Sequence, residues 1–360
     1  REALDAEANR IRFSLNPQPA GQKTHNVPTL DGLPLPGMQH KYRETVLFFP
    51  KRGQTCPAYC SYCFRWAQFV LVKDIRFAAT SAEQLVAYLE RHPEVSDVLI
   101  TGGDPAVMRT PVLRRFVEPL LALDHLDSIR IGTKALATWP KRFTHGDDAD
   151  DLLRLFEEVV ASGKQLALMA HYSHHVEMST SQAEMAIHRV RSSGANIRMQ
   201  SPVARHINDS PDVWADLLRT GVRLGCIPYY MFVVRDTGAR GYFEVPLVRC
   251  WEIYQEAYRR VSGLARTIRG PVMSAFPGKV HILGETNLGN QRVFALQYLQ
   301  SRDPELVRRP FFARFDPQAA WFDELVPATA EDAPFFTDQT PPDTGFVTGL
   351  LSPALAEPHT

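Results

Sequence analysis

The chain has 360 residues, 44% of them hydrophobic, enough to bury one large α/β domain or two modest ones. Its 40 basic and 40 acidic residues cancel, no block of like charge stands out, and no apolar run reaches membrane-spanning length; this argues against a nucleic-acid groove, an anionic membrane surface and a spanning segment. Five cysteines make no secreted disulfide framework, and the polar start REALDAEANRIRFSLN is unlike a signal peptide, so reduced thiols in the cytoplasm are expected.

Residues 1–43 read as an arm: one short helix, then NPQPAGQ and PTLDGLPLPG, where Pro and Gly come at turn frequency. From residue 44 strands and helices alternate. ETVLFFP is a short apolar strand, followed by the cysteine-rich stretch TCPAYCSYCFR. SAEQLVAYLERH predicts a helix with Ser81 as its N-cap. SDVLITGGD is a strand ending in glycines; a helix around 112–121 and the strand SIRIGT follow. DADDLLRLFEEVVASG is a helix closed by Gly163, QLALMAHY a strand, and QAEMAIHRVRSSG a helix closed by Gly194. NIRMQSP (strand), PDVWADLLRTGVRLG (helix), CIPYYMFVV (strand) and PLVRCWEIYQEAYRRVSG (helix) complete the run.

Six β-then-α units over 44–265 predict a parallel sheet with right-handed crossovers. The expected fold is α/β, a partial (β/α)6 barrel of TIM type, with a doubly wound sheet as the alternative. In barrels the chemistry sits on the loops after the strands, where the cysteine loop, TGGD and HYSHH all fall. Residues 266–326 form a C-terminal segment and 327–360 an acidic, Pro-rich tail containing APFFTDQTPPDTG.

Cys56, Cys60 and Cys63, spaced C-x3-C-x2-C, can converge on one metal centre. A structural zinc needs four closed ligands; His40 is the available fourth, upstream of a strand, and no second C-x2-C pair exists. An iron–sulfur cube held by three cysteines leaves one iron open for a ligand. The bland alternative is three cysteines buried as small apolar residues. With Tyr62 before the last cysteine, the spacing resembles the signature of radical S-adenosylmethionine (SAM) enzymes. That resemblance implies a [4Fe-4S] cluster on Cys56, Cys60 and Cys63 whose open iron chelates SAM. It also implies a 5′-deoxyadenosyl radical, a partial barrel, and a glycine-rich strand end that holds the methionyl amine. Here that strand end is Thr101–Pro105, with Gly102, Gly103 and Asp104.

The motifs PGMQHKYRETVLFFP, CFR, GGDP, IRIGTKA, MAHYSHHVE, MQSPVARHIND and IPYYMF recur in order over roughly residues 30–285 and resemble the lysine 2,3-aminomutase group. Those enzymes pair SAM with pyridoxal 5′-phosphate (PLP), carried as a Schiff base on a lysine in a glycine-rich turn after the barrel. The matching turn is Phe276-Pro277-Gly278-Lys279, and Lys279 is the one lysine after residue 164. The run of glycines itself is replaced by Ser274-Ala275-Phe276-Pro277-Gly278. The resemblance further implies Lys41 and Arg43 at the PLP phosphate, although the family's second arginine falls nearer Thr45, with Tyr42 packed on the pyridine ring and Gln200 at a cofactor.

Arg65 matches the family arginine that forks onto the substrate carboxylate. Lysine-using members bind the substrate ammonium with two aspartates. A gapless match puts Arg235 at the first, with Asp236 one register step away, and GPVMSAFPG contains no carboxylate for the second. The expected substrate is therefore an acidic or neutral amino acid, such as glutamate, and not lysine.

His171, His174 and His175 are read as hydrogen-bonding strand-end residues, not metal ligands. Cys226 and Cys250 are read as core residues, leaving no C-terminal zinc set. The reaction implied is a 2,3-aminomutase isomerisation of a free amino acid as small-molecule substrate, fed by a reductant such as flavodoxin or ferredoxin, with room for a homo-oligomer. The alternatives are another radical SAM outcome (epimerisation, desaturation or deamination), an iron–sulfur carrier or scaffold, and a zinc-stabilised binding module.

Overall fold

The computed structural model describes residues 2–15, 25–69 and 77–337. The stretch NPQPAGQ and the end of the Pro-rich tail, from residue 338, lie outside the described residues. After the helix Glu2–Leu15, strands β1 (Thr29–Leu30) and β2 (Leu33–Pro34) make a small antiparallel ladder. The other described strands join one sheet in chain order. They are β3 (Met38–Tyr42), β4 (Thr45–Phe48), β5 (Asp97–Ile100), β6 (Ser128–Thr133), β7 (Gln165–His171), β8 (Asn196–Val203), β9 (Ile227–Val233), β10 (Arg269–Ser274), β11 (Gly278–Leu288), β12 (Gln291–Ser301) and β13 (Pro310–Arg314). Neighbours from β4 to β10 run parallel; β3 and β11 to β13 add antiparallel edges.

The six expected strands are β4 to β9, and the helices between them start and stop where local chemistry directs. Three aspartates in the first turn of Asp147–Ala161 favour its positive end. Thr180 and Ser210 accept from Ala183 N and Asp212 N, capping Ser181–Ser192 and Pro211–Arg223. Gly163 and Gly194 close their helices at φ +88° and +84°, which glycine adopts without a Cβ penalty. Ser81 is a correction: the helix begins at Glu83, with Ala82 at the cap and no capping side-chain bond, because the Ser81 hydroxyl meets the Glu83 carboxylate instead.

Strands β10 to β13 were absent from the sequence reading, which left 266–326 as an undivided segment. Their alternation is partly masked, since β10 is buried at four consecutive positions. The two-residue turn Gly289–Asn290 between β11 and β12 was the readable hairpin signal. Lys279 therefore does not sit on a turn. It is the second residue of β11, paired with Ser274 of β10 and Gln300 of β12, and the turn is the preceding Ala275–Pro277.

One inward side chain from each of β4 to β9 (Leu47, Leu99, Arg130, Met169, Gln200 and Phe232) lines the same cavity of about 450 Å³. Six strands about 4.8 Å apart reach one space of that size only if the sheet curls. At the amino ends of this run Asp97 of β5 accepts from Thr45 Oγ1 of β4 (3.0 Å), Ser128 Oγ of β6 (2.6 Å) and the Nε–Nη2 edge of the Arg130 guanidinium, so one carboxylate ties three strands and aims Arg130 inward. Asp97→Ala should lower stability by about 3 kcal/mol, since it leaves a largely buried guanidinium unpaired. A chemical-denaturation midpoint unchanged from the parent would contradict this role.

Candidate active site

The cysteine loop leaves β4 through a 3₁₀ turn, Lys51–Gly53, and is docked on the glycine-rich end of β5. Gly103 N and Asp104 N donate to Gly53 O (3.1 Å each), and Asp104 N also donates to Thr55 O (2.7 Å). A Cβ on Gly103 would lie 2.4 Å from Thr55 O, so backbone meets backbone with no room for a side chain. Gly102, at φ +146°, would likewise place a Cβ 2.1 Å from Gln54 Nε2.

Asp104 is placed differently from an expected cofactor contact. It is 2% exposed, and its carboxylate accepts from Ala106 N (2.9 Å), Thr133 Oγ1 (2.7 Å) and Lys134 N (2.8 Å). Those donors face it because an unpaired buried carboxylate is expensive. Its work is to fasten the end of β5 to the end of β6.

From Lys134 the chain of contacts continues. Its ammonium donates to Glu177 Oε1 (2.8 Å) and Ser173 Oγ (3.2 Å); Ser173 Oγ also meets the Tyr62 hydroxyl, which lies 3.1 Å from His171 Nε2. Tyr62 in turn hydrogen-bonds Cys60. Two of the three histidines hydrogen-bond within the protein: His171, held well below its ordinary pKa by burial and then by Lys134, meets Tyr62 and Ser173, and His174 caps the short turn His175–Met178, while His175 Nδ1 is buried with no hydrogen-bond partner among the described residues. His40, the candidate fourth zinc ligand, has both ring nitrogens engaged, by the Tyr88 hydroxyl (2.7 Å) and Arg43 O (3.1 Å).

Cys56, Cys60 and Cys63 are free, half-buried thiols. Burial, then Asp104 and the other two thiols, push Cys56 up; burial pushes Cys63 up to about 11. Among the described residues no three Cys, His, Asp or Glu side chains already form a metal-ligand group. Neutral thiols have no force drawing them together; a bound cation supplies it by favouring thiolates. Three half-buried thiols outside any disulfide, on one loop tethered at both ends, suit a soft metal cluster.

The loop ends in Phe64 and Arg65, which line the curled sheet's cavity together with Lys41, Tyr42, Gln200, Arg235 and Lys279. Six of the expected site residues thus meet there from five segments of the chain. Gln200 pairs with His171 on one side and Tyr230 on the other. Lys279 Nζ donates to Gln300 Oε1 (2.8 Å) and stands 4.6 Å from the Tyr230 ring centroid and 5.7 Å from that of Tyr42. Burial, followed by Arg130 and Arg269, lowers its pKa to about 7. Lys41 Nζ donates to the Ala275 carbonyl in the turn before β11, and burial with Arg302, Arg235 and Lys279 nearby holds its pKa well below the lysine range.

Of the residues expected at PLP and substrate, Arg43 is the one left outside the cavity. It sits on the β3–β4 hairpin turn, exposed and away from the cavity, because the two-residue turn reverses the chain one residue after Tyr42. Several cavity residues had no sequence signal of function. Arg130 read as an ordinary strand residue, and Trp321 and Asp323 belong to an irregular segment after β13 that only long-range packing brings to the cavity.

No family model matches the chain. It is 33% identical over 296 residues to a "Putative L-lysine 2,3-aminomutase" of Aquifex aeolicus (strain VF5), covering 82% of this chain and 76% of that protein. It is 29% identical over 232 residues to the L-lysine 2,3-aminomutase of Bacillus subtilis (strain 168), covering 64% and 46%. The chain thus spans from about half to about three quarters of these relatives' length. Among solved structures, a radical SAM methyltransferase from Sphaerobacter thermophilus aligns at 15% identity and TM-score 0.43, over 64% of this chain and 68% of that one.

The lowered Lys279 pKa has a direct test. Lys279 is neutral, and so nucleophilic, above pH 7 and protonated below it. Pulse acylation with peptide mapping should show half-maximal labelling of Lys279 near pH 7, whereas a lysine in an unfolded peptide, with a pKa of about 10.4, is still gaining at pH 9. A labelling curve for Lys279 parallel to that of such a peptide lysine would refute the assignment.

Proposed function

This chain belongs to the lysine 2,3-aminomutase family of radical SAM enzymes, and we propose that it moves the amino group of an amino acid other than lysine from C2 to C3, using a [4Fe-4S] cluster, SAM and PLP. When bound, the reduced cluster and SAM supply a hydrogen-abstracting 5′-deoxyadenosyl radical, and PLP supplies a ring across which nitrogen can migrate.

In this reading Cys56, Cys60 and Cys63 hold the cluster and leave one iron for SAM, and the Gly102–Gly103 backbone receives the methionyl group. Asp104, with its carboxylate engaged by protein donors, shapes that backbone instead of touching SAM. Gln200 faces the cofactors from the middle of the sheet. Lys279 carries PLP, Tyr42 flanks its ring, and Lys41 beside Arg302 supplies phosphate charge in place of Arg43. Arg65 binds the substrate carboxylate. Arg235 sits where lysine-using relatives place an anion, which disfavours a substrate ammonium and leaves acidic and neutral amino acids. Inward residues from six successive strands support a partial (β/α)6 barrel with its mouth at the cysteine loop. A one-electron donor such as flavodoxin or ferredoxin serves the cluster.

One observation carries the proposal. Lys279, the one lysine after residue 164, stands in the cavity that ends at the cysteine loop, between two tyrosine rings, with its amine pushed down to about 7. A nucleophilic lysine needs that environment. Purified protein reconstituted anaerobically with iron, sulfide and PLP should show both cluster and PLP absorbance. With SAM and dithionite it should release 5′-deoxyadenosine. Cys63→Ala should abolish 5′-deoxyadenosine release, and Lys279→Ala should abolish stable PLP retention while leaving iron content near the parent's. Parent-like PLP retention in Lys279→Ala would overturn the PLP assignment.

A further inference from the structure

The cavity holds guanidiniums that its own residues do not fully answer. Arg65, Arg130 and Arg235 line it beside two amines of lowered pKa, Lys41 and Lys279, against the carboxylates Asp236 and Asp323. Arg130 is already paired with Asp97. Two of the others are poorly satisfied and close together. The Arg65 and Arg235 guanidinium carbons stand 5.3 and 5.2 Å from the centroid of the same Phe64 ring, so they are at most 10.5 Å apart, the two distances laid end to end. Among the described residues the Arg65 side chain makes one hydrogen bond, to Gln68 Oε1 at 3.3 Å. Arg235 Nε is buried with no acceptor in hydrogen-bonding range; Asp236 Oδ1 is its nearest ionic neighbour at 3.6 Å.

Besides that ionic neighbour, aromatic rings flank the far guanidinium: Arg235 lies between Phe64 and Trp321, 5.2 and 5.9 Å from the ring centroids. Such an arrangement is costly unless anions complete it. The two carboxylates do not complete it. Asp236 also accepts from Thr237 Oγ1 (3.3 Å), and burial followed by Asp236 itself pushes the Asp323 carboxyl towards its neutral form.

Resting on the aminomutase reading above, we propose that the substrate is a dicarboxylic α-amino acid of the aspartate or glutamate kind, clamped with its α-carboxylate on Arg65 and its side-chain carboxylate on Arg235, across the face of Phe64. Each guanidinium offers a planar fork of donors that matches a carboxylate. The side chain of such a substrate spans the gap between the forks. Phe64 follows the last cysteine, so the carbon chain between the two carboxylates lies beside the cysteine loop. A lysine ammonium would have to enter between Asp236 and Asp323 and displace Arg235, with no acceptor ready for the displaced cation.

The test uses the holoenzyme with L-glutamate, L-aspartate, L-glutamine and L-lysine, and reads two quantities. Calorimetry gives each dissociation constant; the anaerobic SAM assay gives 5′-deoxyadenosine and, by mass spectrometry, the β-amino acid. Glutamate or aspartate should bind and react at least tenfold better than glutamine or lysine. Arg235→Gln should weaken dicarboxylate binding by about 30-fold or more, the usual scale for losing one partner of a buried charge pair. Arg235→Lys should recover part of that loss, which separates charge from folding. Preference for glutamine or lysine, or dicarboxylate binding unchanged in Arg235→Gln, overturns the clamp even if the enzyme is an active aminomutase. Failure to take up PLP or to release 5′-deoxyadenosine with any amino acid overturns the aminomutase reading; Arg235-dependent calorimetric binding of glutamate or aspartate still supports the clamp.

Discussion

A single buried carboxylate sets the geometry around the cysteine loop. Asp104 is taken out of water at the end of β5, and its charge is tolerated because Ala106 N, Thr133 Oγ1 and Lys134 N all point at it. Its own backbone N–H holds Thr55 O, four bonds of chain before the first loop cysteine's side chain begins. Lys134, fixed by that carboxylate at its N–H, turns its ammonium to Ser173 and Glu177 at the end of β7, and Ser173 returns to Tyr62 within the loop. The loop is thus fastened at its start by β5 and near its end by β7. Buried polar groups that must all be satisfied leave few alternative arrangements, which is what a loop presenting three thiols requires.

The cavity below follows a different physics. Its cations are enclosed and crowd one another, so their charge is held at a cost that suitable anions repay. Lys279 shows the useful side of that crowding: burial and two arginines make its amine neutral near physiological pH, which an exposed lysine is not. Arg65 and Arg235 show the other side, two guanidiniums left with donors to spare. Phe64 joins the two regions, since it follows Cys63 directly and lies against both guanidiniums.

Much of this was readable in the chain. The six strands from β4 to β9, the glycines that stop two helices, the cysteine loop and the single candidate lysine all follow from local pattern and residue type. Arg43 and Ser81 were misplaced because each depends on one or two residues of local geometry, a hairpin reversal and a helix start, that residue type underdetermines. Arg130 was missed because an arginine on a strand has no functional sign until Asp97 turns it inward. Trp321 and Asp323 were missed because they come from irregular chain far from the motifs.

The amino-acid sequence by itself determined which chemical groups exist and how each short segment folds, because periodicity, caps and cysteine spacing act within a few residues. Only the tertiary structure decided which groups meet. Lys279 left its expected turn for a strand because β11 pairs with both β10 and β12, a choice made by partners in the sheet. Arg65 and Arg235, 170 positions apart in the chain, come to share one ring because six strands curl around a common space. Encounters of that kind depend on how distant strands pair and curl across the whole sheet, and no local pattern encodes them.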